Sequence, residues 1–321
     1  TRGMTYLLRK LMTLVVTLFA VVTFNFLLFH VLPGSPVRLL ARSGHLDAEA
    51  EAELTKLFGL DRSLPVQYVT YLRDLLHGNL GSSYVYREPV TQVLGPAVVN
   101  TIWLLGAATI LTVVLGVLMG VAAGSRANSR VDTGVVVSNL VLWSLPTFWI
   151  GMILILVLGV WTRLLPISGV STPGFEFTRT GHLIDVARHL ILPAVTLAIV
   201  QVAEFALITR SSLVDVMSED YMLTARAKGL ARRTIVWRHG VRNALLPIVT
   251  ATALYVGFVL GGAIQVETVF SWPGMGLLTY KAVLQRDYPV LEAAFLVFAI
   301  AVIVANFVSD LLYRAIDPRV R

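Results

Sequence analysis

The sequence has no cysteine, which excludes disulfides and thiolate metal sites. Charge is scarce too. Asp, Glu, Lys and Arg make up 14% of the 321 residues, against about 25% in an average soluble domain. No glycine is followed by lysine, so the GxxxxGK[ST] phosphate loop is absent and the chain has no such loop of its own for ATP. The six histidines show neither HExxH nor a comparable ligand spacing. His182 and His189 read as loop residues rather than a metal pair. No nucleophile–base set stands out, so a polytopic membrane enzyme finds no support.

What the sequence has is apolar length. Hydrophobic residues make up 56% of it and the mean hydropathy is +0.76. The apolar runs place it among polytopic membrane proteins. A net charge of +7 could suggest nucleic acid, but the basic residues lie mostly between apolar runs, where the positive-inside bias accounts for them. Six spans are predicted, at 11–32, 98–124, 134–160, 190–209, 245–266 and 289–312. The third is broken by Pro146, and Pro193 lies near the start of the fourth. The first follows a short basic stretch (Arg2, Arg9, Lys10). It is too long for a signal peptide and is followed by Pro33-Gly34-Ser35-Pro36, so it reads as an uncleaved span.

The chain divides into residues 1–95, a span plus an extracytoplasmic segment; 96–313, a transmembrane domain; and 314–321, a basic tail. The first part holds an acidic helical stretch at 47–58 with Glu49, Glu51 and Glu53. In it Tyr68, Tyr71, Leu72, Leu75 and Leu76 recur at helical spacing, which predicts an amphipathic surface helix over 65–77. Segments 1–10, 125–133, 210–244 and 313–321 carry fifteen of the 26 Lys and Arg residues. The other eleven are spread over intervals nearly twice as long. Both termini and the 210–244 loop are therefore expected in the cytoplasm.

Polar residues inside spans are costly and tend to be functional. The candidates are Asn25, Asn139, Gln201, Glu204, Asn306 and Asp310. Asn139, Gln201, Glu204, Asn306 and Asp310 form a candidate transport pathway. For Glu204 an interhelical salt bridge stands equally open, and Gln201 one turn earlier shares its face. Asp310 reads first as an i,i+4 partner of Arg314. Gly116, Gly120 and Gly124, and again Gly257 and Gly261, are spaced four apart, which lets another helix approach closely.

The longest polar interval in the C-terminal two thirds of the chain is Ser218 to Pro247, SEDYMLTARAKGLARRTIVWRHGVRNALLP. Ser218 is a suitable N-cap, and Glu219 and Asp220 fall in a first turn. Arg226 and Lys228 fall in a last turn, and Gly229 is a stop. A second helical piece is expected at about 232–238. Thr224-Ala225-Arg226-Ala227-Lys228-Gly229, with Leu246-Pro247 downstream, resembles the EAA loop of ABC-importer permeases, in the form found in the dipeptide and oligopeptide group. Leu223 and Thr224 stand where the general pattern has Glu and Ala, and the Leu-Pro comes later than usual. The phrases LPGSP, FGLD, LPVQY, LLHGNLGSS and ETVFSWPGMGLLTYKAV extend the resemblance over nearly the whole chain.

The resemblance implies an all-α integral membrane protein of the plasma or inner membrane. It implies six transmembrane helices, a cytoplasmic EAA-type coupling helix and an extracytoplasmic segment after the first span. Residues 224–229 would dock on an ATP-binding subunit. The implied partners are a homologous second permease, two ATP-binding subunits holding ATP and Mg, and an extracytoplasmic substrate-binding protein. The latter would meet 33–95, 161–189 and 267–289, including Trp272-Pro273-Gly274. This chain itself would bind no cofactor and no nucleic acid, and would not be an enzyme. Substrates of the group are dipeptides, oligopeptides, glutathione, nickel complexes or haem. The alternative is a proton-coupled secondary transporter using Glu204 and Asp310. It suffers from the absence of a second, repeated half.

Overall fold

The structure is a computed structural model that describes residues 2–31, 56, 61–174 and 178–316; for 2–7, 31, 246, 253, 254, 256–262 and 309–316 it describes the backbone alone. The acidic stretch at 47–58, the LPGSP segment, the Asp310–Arg314 pair, the packing of Gly257 and Gly261, and residues 317–321 lie outside that description. The described residues are helical apart from turns and one isolated bridge, Ser82 with Pro89. The helices are α1 (Arg2–Val31), α2 (Leu64–Leu76), α3 (Val90–Gly124), α4 (Arg130–Ser144) and α5 (Thr147–Leu154, continued by a π-helical turn Ile155–Trp161). They continue with α6 (Arg179–Met217), α7 (Asp220–Ala227), α8 (232–244), α9 (Leu246–Val269), α10 (Met275–Gln285) and α11 (Tyr288–Ile316).

Among the described residues four stretches are long and apolar enough to cross a membrane: Leu8–His30, Val90–Gly124, Arg179–Met217 and Tyr288–Val308. The predicted third span is two helices, α4 and α5, bent by 99° at their junction. Leu145 is extended there (φ −87°, ψ 137°), the conformation a following proline enforces. The pair counts as one broken span or as a re-entrant loop. The predicted fifth span corresponds to the 24-residue α9.

The predicted fourth span, 190–209, is too short. α6 runs for 39 residues. It starts earlier because the Thr178 hydroxyl accepts from the Gly181 N–H at 3.2 Å. It ends later because Thr209, Leu213 and Met217 continue its inward stripe past Arg210. Pro193 is thus interior, and residues 210–217 are helix rather than loop. His182 and His189 are helical as well. His189 is buried and donates from Nδ1 to the Asp185 carbonyl at 2.8 Å. The Asp185 carboxylate accepts from Thr172 N–H at 2.7 Å and from its hydroxyl at 2.8 Å.

The contacts divide the chain into two compact units. One comprises Thr1–Val98 and Leu278–Ile303. In it Phe26 of α1 packs its ring 5.0 Å from Tyr68 and 5.5 Å from Tyr71 of α2, so the predicted amphipathic helix exists and turns its tyrosines toward α1. Burial pushes the Tyr71 hydroxyl up to about 12, and the Glu292 carboxylate adds to the shift. Asn25 donates to the Glu292 carbonyl at 2.9 Å. Asp287, fully buried, accepts from the Ser83 hydroxyl and from the N–H groups of Tyr84 and Val85, which closes the turn before α3.

The other unit comprises Val99–Leu277 and Val304–Arg321. α3 and α6 meet along the glycine row. A Cβ on Gly116 would stand 2.5 Å from Phe205 Cβ, one on Gly120 2.6 Å from the Ala206 carbonyl, and one on Gly124 3.0 Å from the Arg210 carbonyl. Any side chain at these positions pushes the helices apart. The core between them and α9 holds Leu104, Ala108, Leu192, Leu197, Val266, Phe270 and Trp272.

Candidate functional site

The patterned interval after α6 folds as a short helix and a longer bent one. Ser218 does not cap α7. Its hydroxyl donates to the Asp215 carbonyl at 2.6 Å and so finishes α6. Glu219 takes the N-cap position of α7, without a side-chain bond. The two elements are separated by a single turn, so Ser218 is consumed by the helix that precedes it. Asp220 lies in the first turn of α7 and Arg226 in the last, where the helix dipole favours each. Gly229 follows at φ +72°, a left-handed conformation that favours glycine.

α7 has an inner and an outer face. Met222 and Ala225 are buried and cluster with Ile235 of α8, with Met217 packed beside them. Tyr221, Leu223, Thr224, Arg226, Ala227, Lys228, Gly229 and Leu230 are exposed. Of the six motif residues, Ala225 alone is buried. α8 extends beyond the predicted 232–238, because Ile235–Val241 form a π-helical turn that continues into Arg242–Ala244. Gly240 lies in that turn. A Cβ there would stand 2.9 Å from Leu213 Cδ1 of α6. Val236 and Val241 pack with Val121 and Leu213.

Two arginines tie this region to the ends of neighbouring helices. Arg226 Nη2 donates to the Met217 carbonyl at 3.1 Å, and Arg232 Nη2 donates to the Ser125 carbonyl at 2.6 Å. Between them lies a cleft of about 580 Å³, lined by residues that include Gly124, Val214, Leu230 and Ile235 as well as both arginines. Asn243 braces the outer face by donating to the Tyr221 hydroxyl at 3.0 Å.

The candidate pathway residues do not converge on one described site. Asn139 is fully buried, and neither amide atom has a hydrogen-bond partner. Gln201 is half-buried, and Glu204 and Asn306 are exposed. Glu204 forms no ion pair among the described residues.

Two further buried carboxylates stand at the edges of predicted spans, where the sequence pattern alone reads them as loop residues. Asp132 pairs with Arg210 of α6, Nε to one oxygen and Nη2 to the other at 2.7 Å, and also accepts from Asn128 N–H at 2.8 Å. Glu267 at the end of α9 is fully buried. It accepts from the Thr101 hydroxyl at 2.7 Å and from Leu277 N–H at 2.9 Å, and Thr101 in turn accepts from Met275 N–H at 2.8 Å. Trp272 Nε1 donates to the Asn100 carbonyl at 3.0 Å. A Cβ on Gly274 would come 2.5 Å from the Thr101 hydroxyl, which accounts for a glycine there. The usable signal is a lone acid at the end of an apolar run, followed after four residues by Trp-Pro-Gly-Met-Gly.

Residues 112–321 match the family described as binding-protein-dependent transport system inner membrane component, and residues 3–102 match its N-terminal membrane component. The chain is 38% identical to the di/tripeptide transport system permease protein DppB of Pseudomonas aeruginosa, over 99% of each chain. It is 35% identical to the oligopeptide transport system permease protein AppB of Bacillus subtilis, over 98% of each. It is 40% identical to the glutathione transport system permease protein GsiC of Salmonella choleraesuis, again over 98% of each.

Proposed function

The chain belongs to the family of binding-protein-dependent transport system inner membrane components, and from that premise we propose that it forms one six-span half of a pore that imports di- or oligopeptides. It is a multi-pass membrane subunit of an ATP-driven importer. Its engine sits on other chains: a homologous permease completes the pore, two ATP-binding subunits carry ATP and Mg, and an extracytoplasmic protein delivers the substrate. Both termini and the 218–244 segment face the cytoplasm.

One observation carries the assignment of the coupling surface. α7 is anchored on one face by Met222 and Ala225, while its other face presents Leu223, Thr224, Arg226 and Lys228. A helix so fixed at its back and open at its front suits a rigid-body input from an ATPase. The peptide substrate rests on relatives whose names specify di/tripeptide and oligopeptide transport. Glutathione, itself a peptide, stays within that class. Proton coupling through Glu204 is not favoured in a family of binding-protein-dependent systems.

The test is affinity capture of the chain from its native membrane in mild detergent, with mass spectrometry of what accompanies it. A P-loop ATPase and a second permease are expected. Capture of the chain alone refutes the reading. The accompanying binding protein is then titrated with dipeptides, oligopeptides and glutathione by calorimetry, and binding of none of them removes the peptide assignment.

A further inference from the structure

A cleft behind α7 is lined by residues of the coupling segment and of the ends of α3 and α6, and two arginine side chains reach from that segment to those helix ends. We propose that Arg226 and Arg232 are positioning residues that carry displacement of the coupling segment into α6 and α3, Arg232 from outside the 224–229 motif. The proposal rests on the coupling reading given above.

Each arginine meets a carbonyl at the C-terminal end of a long helix. Met217 is the last residue of α6, and Ser125 follows the last residue of α3. Such carbonyls have no partner within their own helix, and the helix end carries partial negative charge. A guanidinium there satisfies the orphan acceptor and the dipole together. Its remaining donors and its rigid fork resist rotation better than an ammonium would.

The cleft decides what the bonds do. Beyond it Val236 and Val241 pack with Val121 and Leu213, so that end of α8 is already joined to the bundle. At the α7 end the cleft opens beside the Met217 contact, and Arg226 and Arg232 reach the Met217 and Ser125 carbonyls. The path then closes on itself. Ser125 begins the turn that leads to α4, Asn128 N–H of that turn donates to Asp132, and Asp132 grips Arg210 of α6. A pull on Ser125 therefore reaches α6 from a second direction, through a half-buried bidentate pair that does not slide.

The experiment uses the whole importer, purified with its partner subunits and reconstituted with its binding protein. Variants R232A, R232Q and R232K are compared for assembly, thermal midpoint, basal ATP hydrolysis and uptake per ATP hydrolysed. R232A is expected to assemble, melt and hydrolyse ATP as the parent does, while uptake per ATP falls about tenfold, within the usual range of coupling free energies. R232K, which keeps a donor for the Ser125 carbonyl, recovers most of the loss. R232Q is expected to recover less, because its shorter side chain falls short of the carbonyl. Unchanged uptake per ATP in R232A overturns the proposal. So does loss of the ATPase subunits from R232A, which makes Arg232 a docking contact instead. If R232A alone fails to assemble, the ratio of R232K to R232Q decides, and equal uptake per ATP in the two overturns the proposal. A parent chain that never carries an ATPase refutes the coupling reading itself, and that result is visible before any variant is made.

Discussion

Residues 267–277 and 218–244 both lead from the end of one long helix to the next element, and they fold in opposite senses. In the first, Phe270, Trp272, Met275 and Leu277 turn inward, and the fully buried Glu267 accepts from Thr101 and Leu277. In the second, Leu223, Leu230 and Trp237 are 56%, 40% and 47% exposed, and the binding to neighbouring helix ends is done by two solvent-facing arginines. The first interval completes its own hydrogen bonds and its own packing. The second leaves apolar surface open, and each Å² later covered is worth about 25 cal/mol. A segment that leaves apolar surface open is thus distinguishable from one that holds its own shape.

The most severe way to break this comparison is to remove the carboxylate of the closed interval. Glu267→Ala leaves the Thr101 hydroxyl and Leu277 N–H buried without an acceptor, at a cost of roughly 3 kcal/mol. A lower thermal midpoint in detergent is expected, with Glu267→Gln, which keeps one acceptor oxygen, falling between. If Glu267→Ala melts with the parent, the closed interval is held by its apolar residues alone.

The open interval has one position that behaves like the closed one. Ala225 packs with Met222 and Ile235, so Ala225→Arg forces a charge into an apolar contact and costs about 2 kcal/mol of local stability. Amide exchange in 220–235 should accelerate. Loss of uptake in this variant reports unfolding of α7, not a lost docking contact, and unchanged exchange would return Ala225 to the outer face.

This is also where sequence and structure part company. The motif TARAKG marked the short helix α7, and Gly229 stopped it at a φ that favours glycine. The pattern could not say that Ala225 faces inward and Leu223 outward, because that depends on how α7 meets Ile235 and Met217. Apolar runs located α1, α3 and α11, since length and hydropathy are local properties. They could not show that α6 continues through polar residues at both ends, where Thr178 starts it and Ser218 finishes it. The buried carboxylates Asp132 and Glu267 were hidden for the same reason. An acid at the edge of an apolar run is a loop residue until its partners, 78 residues away in Arg210 and 166 in Thr101, are brought to it.

Gly229→Ala sharpens the comparison at lower cost. No atom stands within 4 Å of a Cβ placed there, so the whole penalty is the left-handed backbone, about 1 kcal/mol. Gly229→Asn, which tolerates that conformation, should cost less. The effect belongs to the last turn of α7, and amide exchange at 226–230 reads it better than global melting. Equal exchange in the alanine variant and the parent would mean that the turn adopts another conformation when the chain is assembled.

The smallest effect on folding is expected at Leu223, and it separates the two intervals most cleanly. Leu223 is more than half exposed, so Leu223→Ser should shift stability by less than about 0.5 kcal/mol. A leucine turned inward, as Leu277 is, would cost several times that on truncation. If Leu223 belongs to a surface that an ATPase covers, Leu223→Ser weakens capture of that subunit while the chain itself melts unchanged. The paired measurement is the thermal midpoint of the isolated chain and the yield of ATPase in affinity capture. A fall in yield at constant midpoint supports an open, partner-directed face. A fall in midpoint shows that Leu223 is packed within the chain, and the contrast between the two intervals then disappears.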